Sequence, residues 1–438
     1  MKGKKGVYTA SLGLIGSAIG LGNLWRFPYM VGKNGGGAFL IVYLCFVVLL
    51  GIPLMVGEFI LGRSSHAGIV GAFKNFTPGK PWYLAGGLGI LTSSLILGFY
   101  GVVGGWSLRF FYLSSTNALI NKNPEELGDA FRSFIASPAD PIFWQVLFMV
   151  ITALVLISKI EGSIEKITKI MMPMLFLIIM VLCMKALVLP EIGKGMAFFL
   201  KPNFSGITAG GIQAAMGQAF FSLSIGMGVL ITYGSFMKSD ENLLVSALHV
   251  IGTDTVVAFL IGVVVFPVAF TYGIEPGSGP GLIFTTLSSL FNEIPGGYGL
   301  GVMFFLLLFL AALTTAISLL ESVVACLNNQ CKLPRNTSVL IATVIITMLG
   351  AVTSLSLGIW GDSNIFYILD YISVDVLLPI MAMLTSFYLG YVLELKVMEE
   401  EMSNEGVQFK HTKLLQIMLK FVCPVIIITV LLIGLLLN

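Results

Sequence analysis

Apolar runs long enough to cross a bilayer recur along the whole chain, separated by short polar stretches. Eleven are predicted, at about residues 8–33, 37–62, 84–117, 141–158, 164–188, 209–237, 242–272, 297–328, 336–356, 364–393 and 412–437. Each supplies the roughly 20 residues a hydrocarbon crossing needs. Numbered in this order as spans 1–11, they predict an all-α integral membrane protein and leave no room for a soluble domain. The segment 281–291 is apolar but too short to span and lies between Pro280 and Pro295, so it predicts a helical flap on the outer side.

Two spans are interrupted by nearly the same phrase. Ala18-Ile19-Gly20-Leu21-Gly22 breaks span 1, and Ser224-Ile225-Gly226-Met227-Gly228 breaks span 6. Glycine makes helix costlier, and a helix that unwinds in lipid must give its freed N–H and C=O groups other partners. Ions and a small zwitterion can be those partners. Matched interruptions in two halves point to a transporter's central site. They also predict a repeat, residues 1–190 and 205–395, with 410–438 left over. Five spans per unit is an odd number, so the second unit is inverted. Small residues at such spacing also serve helix packing, which leaves a second reading of the phrase.

Charge placement gives the orientation. Lys2, Lys4 and Lys5 precede span 1. Alternate loops then carry Arg63, Lys74 and Lys80; Lys159, Lys166 and Lys169; Lys238; Lys332 and Arg335; and Lys396, Lys410 and Lys413. The positive-inside rule makes the N-terminus cytoplasmic and puts Asn438 outside. Span 1 lacks a cleavage site and holds Asn23 and Arg26, so it is not a signal peptide. The acidic stretch 394–411 reads as a solvated cytoplasmic connection. Apolar residues make up 57% of the 438 and charged ones 11%, which makes each charge inside a span conspicuous.

Among those charges are Arg26, Glu58, Asp254, Glu321, Asp370 and Asp375. Buried ionisable groups in a membrane are costly and default to function. Glu58 and Glu321 can equally be structural, Glu58 by accepting from the unwound backbone of span 6, and Asp375 has no assignment. Asn23, Ser222, Ser224, Thr314 and Thr315 add hard oxygens suited to sodium. The two threonines can also simply bond carbonyls one turn back. The five cysteines read as packing residues. Enzyme chemistry has no support: the three histidines are scattered, and there is no HExxH, GxSxG or phosphate-binding loop. Nothing suggests a nucleic-acid partner.

The ordered motifs Gly20-Leu-Gly-Asn-Leu-Trp-Arg-Phe-Pro-Tyr29, Asn34-Gly-Gly-Gly-Ala-Phe39, Gly51-Ile-Pro-Leu54 with Glu58, Gln218-Ala-Phe-Phe-Ser-Leu-Ser224 and Ala312-Leu-Thr-Thr315 resemble the neurotransmitter:sodium symporter family over nearly the whole chain. Eleven spans resemble its bacterial branch, and with it a bacterial plasma-membrane location. The resemblance implies an inverted five-plus-five fold with unwound helices 1 and 6, and sodium-coupled uptake of an amino acid, with tyrosine favoured. It implies one sodium site at Ala18, Asn23, Ser222 and Asp254, and another at Gly16, Ile19, Ala311, Thr314 and Thr315. The substrate carboxylate would meet Leu21, Gly22 and Tyr100; the ammonium would meet Ala18, Phe221, Ser222 and Ser224. Gly20, Ile96, Gly226, Met227, Thr315 and Leu319 complete the pocket. Arg26, Asp370 and Phe221 would close the outer gate. A homo-oligomer is compatible with the family.

Departures refine this. Asp254 stands where many relatives have asparagine, and Ala258 replaces a serine of the chloride site near Tyr43, Gln218 and Ser222, which implies chloride independence. Glycine at position 20, where amine carriers have aspartate, implies that the substrate keeps its own carboxylate. The inner gate offers only Lys4 or Lys5 against Asn328-Asn329. Met227, flexible and polarizable, favours a large hydrophobic or aromatic side chain. A channel or a substrate sensor that kept the site but lost transport is the competing function.

Overall fold

In the computed structural model, residues 20–158, 161–361, 363–403 and 412–437 are described. Among them the chain is helical throughout, with no strand beyond one isolated bridge between Gly36 and Pro202. Eight helices are long and apolar enough to cross a membrane, from Gly37–Ser65 (span 2) to Thr412–Leu436 (span 11). The three predicted spans outside that set have identifiable reasons. Span 1 is described only from Gly20. Span 5 contributes a shorter apolar stretch, Ile170–Ala186. Span 6 is split into Ala209–Ser222 and Val229–Gly234.

The longest helices, Tyr83–Ser115 (span 3) and Gly297–Cys331 (span 8), pack along each other and flank the broken spans. The predicted flap is a helix, Leu282–Glu293, and it dips into the bundle. Residues Leu282–Phe291 are all buried, and Phe284 lies 4.8 Å from Phe110 and 5.9 Å from Phe131 between ring centroids. The adjoining Pro280 carbonyl accepts from the Trp25 indole at 2.7 Å. The flap thereby rests directly on span 1.

The acidic stretch differs from its predicted solvated form. Leu395–Met402 is a helix, and Glu401 is drawn to the buried Arg63 at 2.5 Å. The same guanidinium donates to the carbonyls of Lys238 (3.1 Å) and Glu241 (2.8 Å), tying the ends of spans 2 and 6 and this helix together. A buried arginine with several donors needs such a set of acceptors. Residues 404–411 lie outside the described segments.

Among the described residues five helical turns are widened to π geometry, and four share a cause. Gly22–Arg26, Val47–Gly51, Tyr371–Leu377 and Met418–Val422 are each followed by a helix whose second residue is proline: Pro28, Pro53, Pro379 and Pro424. Proline has no N–H, and its ring presses on the carbonyl four residues back. Admitting one extra residue to the turn relieves that clash, and such bulges gather at functional sites.

Glycines let spans 2 and 6 meet backbone to backbone. A Cβ on Gly62 would collide with the Ile231 carbonyl oxygen, and one on Gly234 would lie 2.9 Å from the Phe59 carbonyl oxygen. By contrast nothing lies within 4 Å of a Cβ at Gly87. Gly62→Ala is therefore expected to lower the thermal midpoint of the purified protein in detergent by several degrees, since overpacking costs roughly 1–3 kcal/mol. Gly87→Ala should leave it unchanged or slightly raised. Equal midpoints for the two variants would refute the close packing.

Candidate functional site at the broken helices

The break in span 6 runs over Leu223–Gly228, fully buried. Its backbone alternates into the left-handed region: Ser224 has φ 58°, Gly226 79° and Gly228 73°. Four of the N–H groups released from the helix have partners. Leu223 donates to the Ala219 carbonyl at 3.2 Å, Ser224 to Phe221 at 3.2 Å, and Ile225 to Phe220 at 2.9 Å. The Gly226 N–H crosses to Glu58 Oε1 on span 2 at 2.8 Å, which is the role open to Glu58 from sequence. The Met227 carbonyl accepts from Ser93 on span 3 at 2.5 Å. Left-handed φ at Ser224 carries a steric cost that persists only where the surroundings fix it, and its hydroxyl faces a cavity.

That cavity lies between the break in span 6 and the described start of span 1. It is lined by Gly20, Gly22, Ile96, Tyr100, Phe221, Ser222, Ser224, Met227, Thr315 and Leu319. These are ten of the thirteen positions expected to contact substrate. Of the others, Ala18 lies outside the described residues. Leu21 stands just behind the lining, its N–H reaching the Tyr100 hydroxyl at 3.4 Å, and Gly226 faces Glu58 and Leu378. The Gly20 position has no room for a side chain: a Cβ there would collide with the Thr315 hydroxyl and lie 3.3 Å from that of Tyr100.

One end of the cavity opens onto an oxygen cluster. Asn23 Nδ2 donates to Asp254 Oδ1 at 2.5 Å. Ser222 Oγ lies 2.6 Å from Asp254 Oδ2 and 2.7 Å from Asn23 Oδ1. The Tyr43 hydroxyl donates to Asp254 Oδ2 at 3.4 Å. The set is buried, offers several hard oxygens and carries one carboxylate, a chemistry that suits a small hard cation. Ala258, one turn along from Asp254, is buried and brings no hydroxyl. A second group gathers on span 8, where Thr314 and Thr315 donate to the Ala311 carbonyl at 2.9 and 3.3 Å. This is the back-bonded arrangement, and it brings three of the five expected oxygens together. Gly16 and Ile19 lie outside the described residues, as do Lys4 and Lys5 of the expected inner gate. Asn328 donates to the Leu333 carbonyl at 2.7 Å.

Above the cavity Arg26 is wholly buried. Its Nε and Nη2 meet the two Asp370 oxygens at 2.9 and 3.0 Å, Nη1 meets Gln218 Oε1 at 2.8 Å, and its guanidinium sits 5.4 Å over the Phe221 ring. Tyr29 donates to Asp370 at 3.3 Å. Asp375, unassigned from sequence, is a further acceptor for Arg26 at 3.4 Å. Residues five apart on an α-helix point about 140° away from each other, so the spacing conceals the pairing. The widened turn Tyr371–Leu377 brings both carboxylates to one side. Gly217 leaves space for Asp375, since a Cβ there would strike its carboxylate. Gln218 was also missed as a partner of Arg26. Its amide donates to the Gly22 carbonyl at 3.0 Å, joining the Arg26 cluster to the start of span 1. Glu321 proves structural, paired with Arg335 at 2.8 and 3.0 Å.

Comparison with known proteins places this architecture. Residues 6–126 and 136–437 match the model of the Sodium:neurotransmitter symporter family. YhdH of Bacillus subtilis, described as an uncharacterized sodium-dependent transporter, is 35% identical over 423 residues, 95% of this chain and 93% of its own length. A sodium-dependent transporter of Haemophilus influenzae is 32% identical over 95% of this chain and 94% of its own. The crystal structure of MhsT in complex with L-phenylalanine is 39% identical, covers 97% of this chain and 98% of that one, and superposes with a TM-score of 0.94. These relatives are transporters rather than enzymes, and this multi-pass chain belongs to the sodium:neurotransmitter symporter family.

Proposed function

We propose that the chain is a sodium-coupled symporter that imports a large hydrophobic or aromatic amino acid, tyrosine first, across a bacterial plasma membrane without needing chloride. The observation that carries the coupling is the position of Ser222. It lines the cavity and also bonds both Asn23 and Asp254 of the oxygen cluster. A cation in that cluster and a zwitterion in the cavity would share one wall, each supplying charge the other lacks.

The unit 1–190 and its inverted counterpart 205–395 would rock around this site, with 410–438 outside the repeat and the N-terminus cytoplasmic. The N–H groups at the described start of span 1, at Leu21 and Gly22, suit a carboxylate, with the Tyr100 hydroxyl beside them. Carbonyls of Phe221 and Ser222 and the Ser224 hydroxyl suit an ammonium. Thr314, Thr315 and the Ala311 carbonyl would hold a second sodium together with Gly16 and Ile19. Arg26, Asp370 and Phe221 would shut the outer side. The tight fit at Gly20 supports a substrate that brings its own carboxylate. Ile96, Met227 and Leu319 form an apolar end, and the phenylalanine bound by MhsT supports an aromatic ring there.

The decisive experiment is uptake into proteoliposomes under an imposed sodium gradient, with all twenty amino acids as competitors. Concentrative uptake that collapses without the gradient is expected, with tyrosine, phenylalanine and tryptophan among the best competitors. Binding without gradient-driven accumulation would favour a sensor instead. Asp254 leads to a second outcome. Unit charges about 4 Å apart attract by about 4 kcal/mol in an effective dielectric of 20, so this carboxylate can stand in for chloride beside sodium. Replacing chloride with gluconate should leave uptake within about twofold, and a large loss would remove that role. Met227→Phe should weaken aromatic substrates more than leucine, by roughly tenfold if a buried ring is displaced. Equal weakening across substrates would count against Met227 as the pocket floor.

A further inference from the structure

Span 3 carries three consecutive hydroxyls, Thr92, Ser93 and Ser94. Thr92 and Ser94 donate to carbonyls one turn back, Leu88 and Ile90, each at 2.8 Å, the ordinary resting place for such a group in a membrane helix. Ser93, fully buried between them, instead donates across to the Met227 carbonyl at 2.5 Å. Ser93 shares a helix face with Ile96 and Tyr100, three and seven residues on, and both of those line the cavity. A Cβ at Gly89, one turn earlier on the same face, would collide with the Ile69 side chain and reach ordinary contact with the Gly226 carbonyl oxygen.

We propose that Ser93 is a positioning residue that sets substrate selectivity by fixing the peptide that aims Met227 into the cavity. The inference rests on the amino-acid carrier reading above. Met227 stands between two glycines with φ 79° and 73°. Glycine offers little steric resistance to rotation, so the backbone around Met227 depends on its hydrogen bonds. Glu58 holds the Ile225–Gly226 peptide, one before, through the Gly226 N–H, and Ser93 holds the Met227–Gly228 peptide directly through the Met227 carbonyl. Without the Ser93 hydroxyl, that buried carbonyl loses its donor in a medium with little water to replace it. The Met227–Gly228 peptide then turns toward another donor, and the methionine side chain turns with it. A substrate's carboxylate and ammonium are gripped elsewhere, so the change is felt at the far end of its side chain, where a ring reaches Met227 and a shorter aliphatic group does not.

The test is sodium-dependent binding to the purified full-length protein, with phenylalanine, tyrosine, leucine and valine as competing ligands. Ser93→Ala should lower the phenylalanine-to-leucine affinity ratio by roughly threefold to tenfold, the range of one buried hydrogen bond. Ser93→Thr, which keeps the hydroxyl, should restore the ratio; Ser93→Cys, similar in size but a weak donor, should fall between. Should the alanine variant fail to fold, the cysteine variant carries the test through the same ratio. A uniform loss across all four ligands, or an unchanged ratio, overturns the role of Ser93. Wild-type protein that binds none of the four with sodium would instead overturn the carrier reading itself.

Discussion

A peptide group in hydrocarbon has to be hydrogen-bonded, and span 6 leaves six residues of its backbone outside the helix in mid-bundle. Those obligations organise the centre of the molecule. Some are met locally, by turns that reach back to Ala219, Phe220 and Phe221. Two are met from other spans, by Glu58 and Ser93. The cost of an unpaired buried carbonyl or N–H, about 1–3 kcal/mol each, explains why a carboxylate and a serine are kept among otherwise apolar helices. It also explains why glycines recur around them: the backbone of the break has to come close to its neighbours, and at Gly226 and Gly228 it has to adopt left-handed torsions.

Proline imposes the second constraint. Four widened turns each sit just before a proline at the second position of the next helix, and two of them shape the surroundings of Arg26. Gly22–Arg26 carries Asn23 and Arg26 on one short stretch, so that one faces the oxygen cluster and the other the Asp370 carboxylate. Tyr371–Leu377 turns Asp370 and Asp375 toward the same guanidinium. Burying one cation between two carboxylates is workable only because Gln218 and Tyr29 complete the hydrogen bonding; a buried ion pair with unmet partners is a liability.

Much of this was legible in the chain. Apolar runs gave the spans, the repeated small-Ile-Gly-x-Gly phrase marked the breaks, and lone polar residues such as Asn23, Ser222 and Asp254 marked groups that now touch. The flap at 281–291 was readable as apolar, helical and too short to span. What stayed hidden had physical reasons. Asp375 was masked by a spacing that fits an α-helix badly and a π turn well, and Pro379 is the visible cause of that turn. Ser93 was masked by Thr92 and Ser94, since all three look alike in sequence and only packing shows which one abandons its own helix. Glu401 was hidden in an acidic run that reads as solvated, because its partner Arg63 lies more than three hundred residues earlier. Glu321 could be read two ways until Arg335 was placed beside it.

The same contacts indicate how sites in different layers can communicate without a long pathway. Gln218 accepts from Arg26 in the gate and donates to the Gly22 carbonyl at the rim of the cavity. Ser222, four residues and so about one turn further along the helix, touches the oxygen cluster and the cavity together. The Arg26 ion-pair cluster, the cavity and the oxygen cluster are therefore joined through one helical turn of span 6 and the described start of span 1. Any ligand that favours one arrangement of that turn favours it for the others, and such coupling in binding is reciprocal. The energy available to it is bounded by the differential contacts each ligand makes in the two arrangements. That bound puts a premium on groups that belong to two sites at once, which is the position Ser222 and Gln218 occupy.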